Sequence, residues 1–309
     1  STASVRGPLS VARGFLAATG NSSFGYFGGG GFITLYTTVD RIDYSNDTAT
    51  ASPKGPLSAG RYGLAATGNS SYGYFGGGRL AYPSATVLTT VDRIDYSNDT
   101  ATASPKGPLS LARNAFSATG NSSFGYFGGG ITLSTVDRID YSNDTSTASP
   151  KGPLSVARFG LAATGNSSFG YFGGGADFST VDRIDYSNDT ATASPKGPLS
   201  SARRSLAASS ARANGLPQVD STLPPANSPV QTGQPPTFYG YFGGGSSPTV
   251  STVDRIDYSN DTSTASPKGP LSLARGFLAA TGNSSFGYFG GGFPGPRSTV
   301  DRIDYSNDT

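Results

Sequence analysis

Val39-Asp40-Arg41-Ile42-Asp43-Tyr44-Ser45-Asn46-Asp47-Thr48 decides how this chain is read, because the same ten residues return from Val91, Val136, Val181, Val253 and Val300. A second segment, Gly-Tyr-Phe-Gly-Gly-Gly, begins at Gly25, Gly73, Gly125, Gly170, Gly240 and Gly287, one copy per unit. Successive copies of the first segment lie 52, 45, 45, 72 and 47 residues apart. That interval is about the length of one four-stranded propeller blade. The fold class read from this pattern is all-β: a six-bladed β-propeller of four-stranded antiparallel blades, forming a single domain over residues 1–309.

Working outward from Val39, each unit predicts a meander of four short strands. Gly14 to Thr19 and the run from Phe24 are apolar and flank Gly20-Asn21-Ser22, a hairpin signature, giving strands a and b. The VDRIDY run gives strand c. The turn Ser45-Asn46-Asp47 then leads to a predicted strand d over Thr48 to Ser52. In strand c, Val39, Arg41 and Asp43 alternate with Asp40, Ile42 and Tyr44, so both faces have something to pack, as suits a blade sandwiched between two others. Pro53 to Ser58 reads as the crossing to the next blade, since its prolines lack an N–H for a ladder.

The two ends complete one another. Interior units read SNDT followed by ATAS or STAS, whereas the chain stops at Ser306-Asn307-Asp308-Thr309 and starts at Ser1-Thr2-Ala3-Ser4. The N-terminal strand is therefore expected to pair with the strand at Val300 to Tyr305, closing the ring and removing two free strand edges. Starting at Ser1 with no signal-like apolar run, the chain reads as a processed product or an excised segment. The long fifth interval reflects an insertion at about Ser209 to Thr237, rich in Pro, Ser, Ala and Gln, in place of the Gly-Asn turn between strands a and b.

Composition restricts the chemistry. The chain has no His, Cys, Met or Trp, and all its acidic residues are Asp, of which only Asp177 and Asp220 stand outside the ten-residue segment. The commonest general base, the thiol nucleophile and most transition-metal ligands are thus missing, and no enzyme activity, cofactor or metal is expected. A net charge of +2 without a basic run leaves no electrostatic footprint for nucleic acid, and no stretch is long and apolar enough to insert in a bilayer. Residues that recur in every unit point to scaffold. Arg41 with Asp40 and Asp43, and the series Arg13, Arg61, Arg113, Arg158, Arg203 and Arg275, read as ion pairs between blades or fixing turns. The Asp43/Asn46/Asp47 turn reads as Asx hydrogen bonding rather than a calcium loop. Gly28 to Gly30 read as a strand end with unusual backbone angles rather than a phosphate cradle. The Asn21 and Asn46 sequons are glycosylation acceptors only on a eukaryotic secretory route.

The glycine cluster Gly28-Gly29-Gly30, the VDRIDY strand, a Pro-Leu element and Arg61 ahead of the next inner strand together resemble a kelch repeat. The resemblance covers the chain outside the insertion and departs from the family where Trp is usual, small residues such as Ala49 and Ala51 standing there instead. Kelch-type copper oxidases need His and Cys around the metal, which this chain lacks. A sialidase-like propeller needs an Arg cluster with acidic and tyrosyl catalysts, not convincingly assembled here. The wording TVDRIDYSNDTATAS, GPLS and AATGNSSFGYFGGG also resembles repeats of structural or fibre-like proteins of marine cyanophages. That resemblance implies a virion or extracellular location, with other virion or appendage subunits as partners.

Difference is concentrated in the b–c connections, and there the candidate ligand-binding rim is placed: Phe32, Leu35, Tyr36, Arg79, Leu80, Tyr82, Ile131, Asp177, Phe178, Phe293 and Arg297. In a meander these connections share a face with the d–a connections, so Gly14, Phe15, Tyr62, Asn114, Phe159 and Arg204 should join them. Diverse loops on an invariant frame are the layout of a recognition face, and apolar loop tips reduce solubility unless covered. The expected function is a non-enzymatic binding or display module, a fibre-type domain recognising a host surface glycan or protein. Neutral drift would give the same variability. A purely structural fibre subunit, a homo-oligomer included, is the second reading, and a secreted propeller enzyme the third.

Overall fold

A computed structural model describes residues 2–31, 33–80, 86–210 and 239–308. It contains six four-stranded antiparallel sheets, each a meander in chain order except the last. The first blade runs β2 (Ala17–Gly20), β3 (Phe24–Gly28), β4 (Val39–Asp43) and β5 (Ser52–Lys54). The last consists of Ala279–Gly282, Phe286–Gly290 and Val300–Asp304, completed by β1 (Ser4–Arg6), with Ser4 opposite Arg302 and Arg6 opposite Val300. The expected closure of the ring by the chain's own start is therefore present.

Three boundaries differ from the sequence reading. The outer strand is Ser52–Lys54, not Thr48 to Ser52, with Pro53 opposite Asp40 at its centre. An outermost strand accepts a proline because no further strand needs its N–H. The residues before it form a 3₁₀ turn, Tyr44–Asn46, started by Asp43, whose carboxylate accepts from Ser45 N (2.9 Å) and Ser45 Oγ (2.6 Å). The inner strand begins at Ala17, not Gly14, because Phe15 has φ +58, a left-handed conformation that interrupts a strand. In the fifth blade Ser209 and Ser210 belong to the inner strand, Ala207–Ser210, rather than to the insertion. The rest of the insertion, residues 211–238, lies outside the described residues.

Each blade buries both faces. Tyr26 and Val39 pack towards the second blade with Leu64, Phe75 and Ile94, while Phe27 and Ile42 pack towards the sixth with Tyr288 and Val300. Gly28 is glycine for this reason: a Cβ there would stand 2.6 Å from the Phe75 ring. Its neighbours Gly29 and Gly30 have φ of +66° and +95°, the unusual backbone angles expected at this strand end.

Two polar sets recur around the ring. Arg13 reaches Asp40 of its own blade at 2.9 Å and donates to the Phe27 carbonyl, and Ser10 adds N–H and O–H bonds to the same carboxylate. Both side chains are wholly buried. This pair fixes the entry to a blade onto its third strand. The second set joins neighbours: Asp99 of the second blade accepts from Tyr26 (2.9 Å) and Arg41 (2.7 Å) of the first, with Lys54 at 3.5 Å. Arg41 thus makes its ion pair with Asp99 rather than with Asp40, because its strand face looks at the next blade while Asp40 looks at the previous one; Asp43, on the same face as Arg41, is hydrogen-bonded by Ser45. At the closure, Asp47 takes Tyr288, Arg302 and Arg6 in the same way. Among the described residues no group of three or more His, Cys, Asp or Glu side chains that could hold a metal ion occurs.

Candidate functional site

The site begins from a backbone feature at one mouth of the channel. Phe15, Gly63, Ala115, Gly160, Ser205 and Phe277 occupy the same position of the six repeats, and all have φ between +55° and +67°. That conformation turns each peptide tangential to the axis. Phe15 N–H donates to the Phe277 carbonyl, Gly63 to Phe15, Ala115 to Gly63, Gly160 to Ala115, Ser205 to Gly160 and Phe277 to Ser205, at 2.5–2.9 Å. The six peptides form a closed hydrogen-bonded loop round the axis, a second closure besides β1.

Below this loop the channel is narrow. It is lined by the Leu16-Ala17-Ala18 positions of every blade and encloses about 90 Å³, room for about three waters. Among the described residues no titratable side chain lines it. Above the loop the mouth opens into an apolar hollow of about 340 Å³ bounded by Phe15, Phe277, Phe159, Arg204 and the leucines beneath. Its floor offers little unsatisfied polarity, because the ring peptides use N–H and C=O on one another.

The walls are unequal. On the side of the sixth and first blades three phenyl rings gather, Phe15 lying 4.1 Å from Phe277 and 5.4 Å from Phe293 between centroids, with Tyr62 edge-on at 5.8 Å. Opposite, Arg204 lies over the Phe159 ring at 5.5 Å and reaches Asp177 at 3.5 Å. A second hollow of about 260 Å³ adjoins the first behind Phe293, walled by Ile33, Thr34, Tyr36 and Pro296. Ile33 is 85% exposed.

The candidate rim residues fall into three groups. Tyr36 and Phe293 line the second hollow, and Asp177 reaches the first through Arg204. Leu35 and Arg79 are half-buried in short bridges, Gly31 to Leu35 and Tyr62 to Arg79, and Leu80 is half-buried beside them. Ile131 (49%) and Phe178 (44%) stand exposed on separate blades, and Arg297 is exposed with its Nε donating to the Pro294 carbonyl. Phe32 and Tyr82 lie outside the described residues. Phe15, Tyr62, Phe159 and Arg204 do meet this face, as their repeat position predicts. Phe277 and Ile33 were missed. Phe277 was legible as the counterpart of Phe15; nothing in the sequence singles out Ile33.

Burial shapes the tyrosines rather than the mouth. Burial and the Asp99 hydrogen bond hold the Tyr26 phenol well above its ordinary pKa, and burial does the same for Tyr44, which stacks on Tyr288 at 4.8 Å. Half-buried Asp43 is held below the usual carboxylate range by the Ser45 hydroxyl and N–H.

Comparison with known proteins bears on the fold. No protein-family model matches the chain, and no curated protein does. Among solved structures, that of YjhT superposes with a TM-score of 0.71 at 11% identity, covering 97% of this chain and 96% of that one. The shared property is the six-bladed propeller; the kelch-like and phage-like wording of the repeat has only its own residues behind it.

Proposed function

We propose that this chain is a non-enzymatic recognition module that holds a target, a host surface glycan or protein, against the face of its b–c and d–a connections, displayed on a virion or other extracellular appendage. The observation that carries the reading is where difference falls. Strands b and c and the c–d turn repeat almost unchanged six times, while Phe15, Phe159, Arg204 and Phe277, at positions that vary between repeats, line one apolar hollow at a channel mouth, with the Phe293 ring packed against Phe15. Drift in tolerant loops does not by itself gather aromatic rings around a concavity, and concave apolar sites with a few polar groups are where ligands bind. Tyr36, Phe293 and Asp177 would make the inner contacts, with Leu35, Arg79, Leu80, Ile131, Phe178 and Arg297 outside them. The location on a virion or appendage is supported by the resemblance of the repeats alone.

The test replaces the b–c connections, blade by blade, with Gly-Ser segments of equal length and measures adhesion to host cells and to a glycan array. Adhesion should fall most for the first and sixth blades. Adhesion unchanged with all six replaced would refute the assignment of this face.

A further inference from the structure

We propose that the aromatic hollow at the channel mouth takes up the proline-rich segment 211–238 of a second copy of the chain, joining copies head to tail. The inference goes beyond target recognition, since it concerns how modules are strung together.

The hollow sets the chemistry of its occupant. Its floor peptides are satisfied within the closed loop and its walls carry the Phe15, Phe159 and Phe277 rings, so it rewards apolar, weakly hydrated groups. Aromatic-lined grooves are a recurring receptor for proline-rich chain, whose restricted backbone loses little entropy on docking. The chain supplies such a sequence. Between Ser210 and Tyr239 stand 28 residues that include Pro217, Pro224, Pro225, Pro229, Pro235 and Pro236.

Topology dictates that the partner is another copy. Ser210 and Tyr239 pair with Gly240 and Asp257 at the ends of their strands, on the face of the a–b turns, opposite the mouth. Half of the 28 residues reaches at most about 46–50 Å. The way round the outside of the blade needs about 14 Å outward over three strand spacings, about 17 Å along a five-residue strand and about 14 Å back. Nothing would be left to lie in the chain's own hollow. The hollow of a copy stacked beneath needs no such detour. A contact between opposite faces is heterologous and does not close on itself, so it yields a linear stack whose last copy keeps its rim free for a target.

The full-length chain tests this by light scattering over a concentration series, with two variants. In one, 211–238 is replaced by Asn-Ser-Ser, the turn at Asn166 to Ser168 in the fourth blade. The other carries Phe15→Gly and Phe277→Gly, which place at these positive-φ positions the residue already present at Gly63 and Gly160. The full chain should rise above the mass of one copy, and both variants should stay at it. A synthetic peptide of residues 211–238 should bind the shortened variant, at least tenfold more weakly once the two Phe→Gly changes are added. A full chain that stays single, assembly that persists in either variant, or peptide binding indifferent to the phenyl rings would overturn the proposal. Adhesion to host cells, measured on the variant that lacks 211–238 and keeps both phenyl rings, reports separately on the recognition reading.

Discussion

Raising the pH should unfold this propeller abruptly through its tyrosines. Twelve of the seventeen, Tyr26, Tyr44, Tyr74, Tyr96, Tyr126, Tyr141, Tyr171, Tyr186, Tyr241, Tyr258, Tyr288 and Tyr305, sit between blades with pKa values raised chiefly by burial. A phenol whose folded pKa is raised contributes stability that is whole below the unfolded value of about 10 and is lost as pH climbs from there towards the folded one. If the folded chain keeps these protons, each phenol ionised only in the unfolded chain removes about 0.4 kcal/mol at pH 10 and about 1.4 kcal/mol at pH 11. Twelve together remove about 5 and about 17 kcal/mol, against a typical total stability of about 5–15 kcal/mol. Unfolding is therefore expected within roughly one pH unit above 10. Phenolate absorbance and near-ultraviolet circular dichroism should be recorded together as pH is raised. The twelve phenols should ionise in one cooperative step coincident with loss of the dichroism. A gradual ionisation of all seventeen with the native dichroism intact would refute the reasoning.

Three further outcomes follow from the frame. Arg13→Met leaves Asp40 buried without its cation and should destabilise the chain by about 3–5 kcal/mol, read as a lower thermal midpoint; Arg13→Met with Asp40→Asn should be milder. Gly28→Ala pushes a methyl into the Phe75 ring between the first and second blades and should lower stability by about 1–3 kcal/mol, measured by urea unfolding. Removing residues 1–6 takes away β1, three ladder positions and the Arg6 contact to Asp47. It should lower stability by about 3 kcal/mol or more and, by baring the edge of Val300–Asp304, produce aggregation that rises with concentration.

What the sequence discloses here, and what it withholds, follows from how each feature is encoded. The ring was legible because six copies of one segment can bury both their faces only against one another, and because the missing outer strand of the last unit stands at the first. Asn21 was legible as a turn residue, its Oδ1 accepting from Ser23 and Phe24 N–H. The ion pairs were legible as a class but not as partners, since each unit offers several Arg and Asp. Which meets which depends on the face of β4 each occupies, and Arg41 finds Asp99 only because its face looks towards the next blade. The outer strand was misplaced because Pro53 reads as a breaker unless its strand is known to be outermost.

The closed loop of six peptides was beyond sequence altogether. Its positions are Phe, Gly, Ala, Gly, Ser and Phe, and only two of them favour a positive φ intrinsically. The ring must impose the conformation on the others, and each left-handed non-glycine residue costs about 1 kcal/mol or more, offset by a short tangential hydrogen bond. That compulsion links scaffold to site. A residue held with positive φ at the rim projects its side chain over the mouth rather than into a strand, so the conformation that closes the ring also presents Phe15 and Phe277 to whatever occupies the hollow.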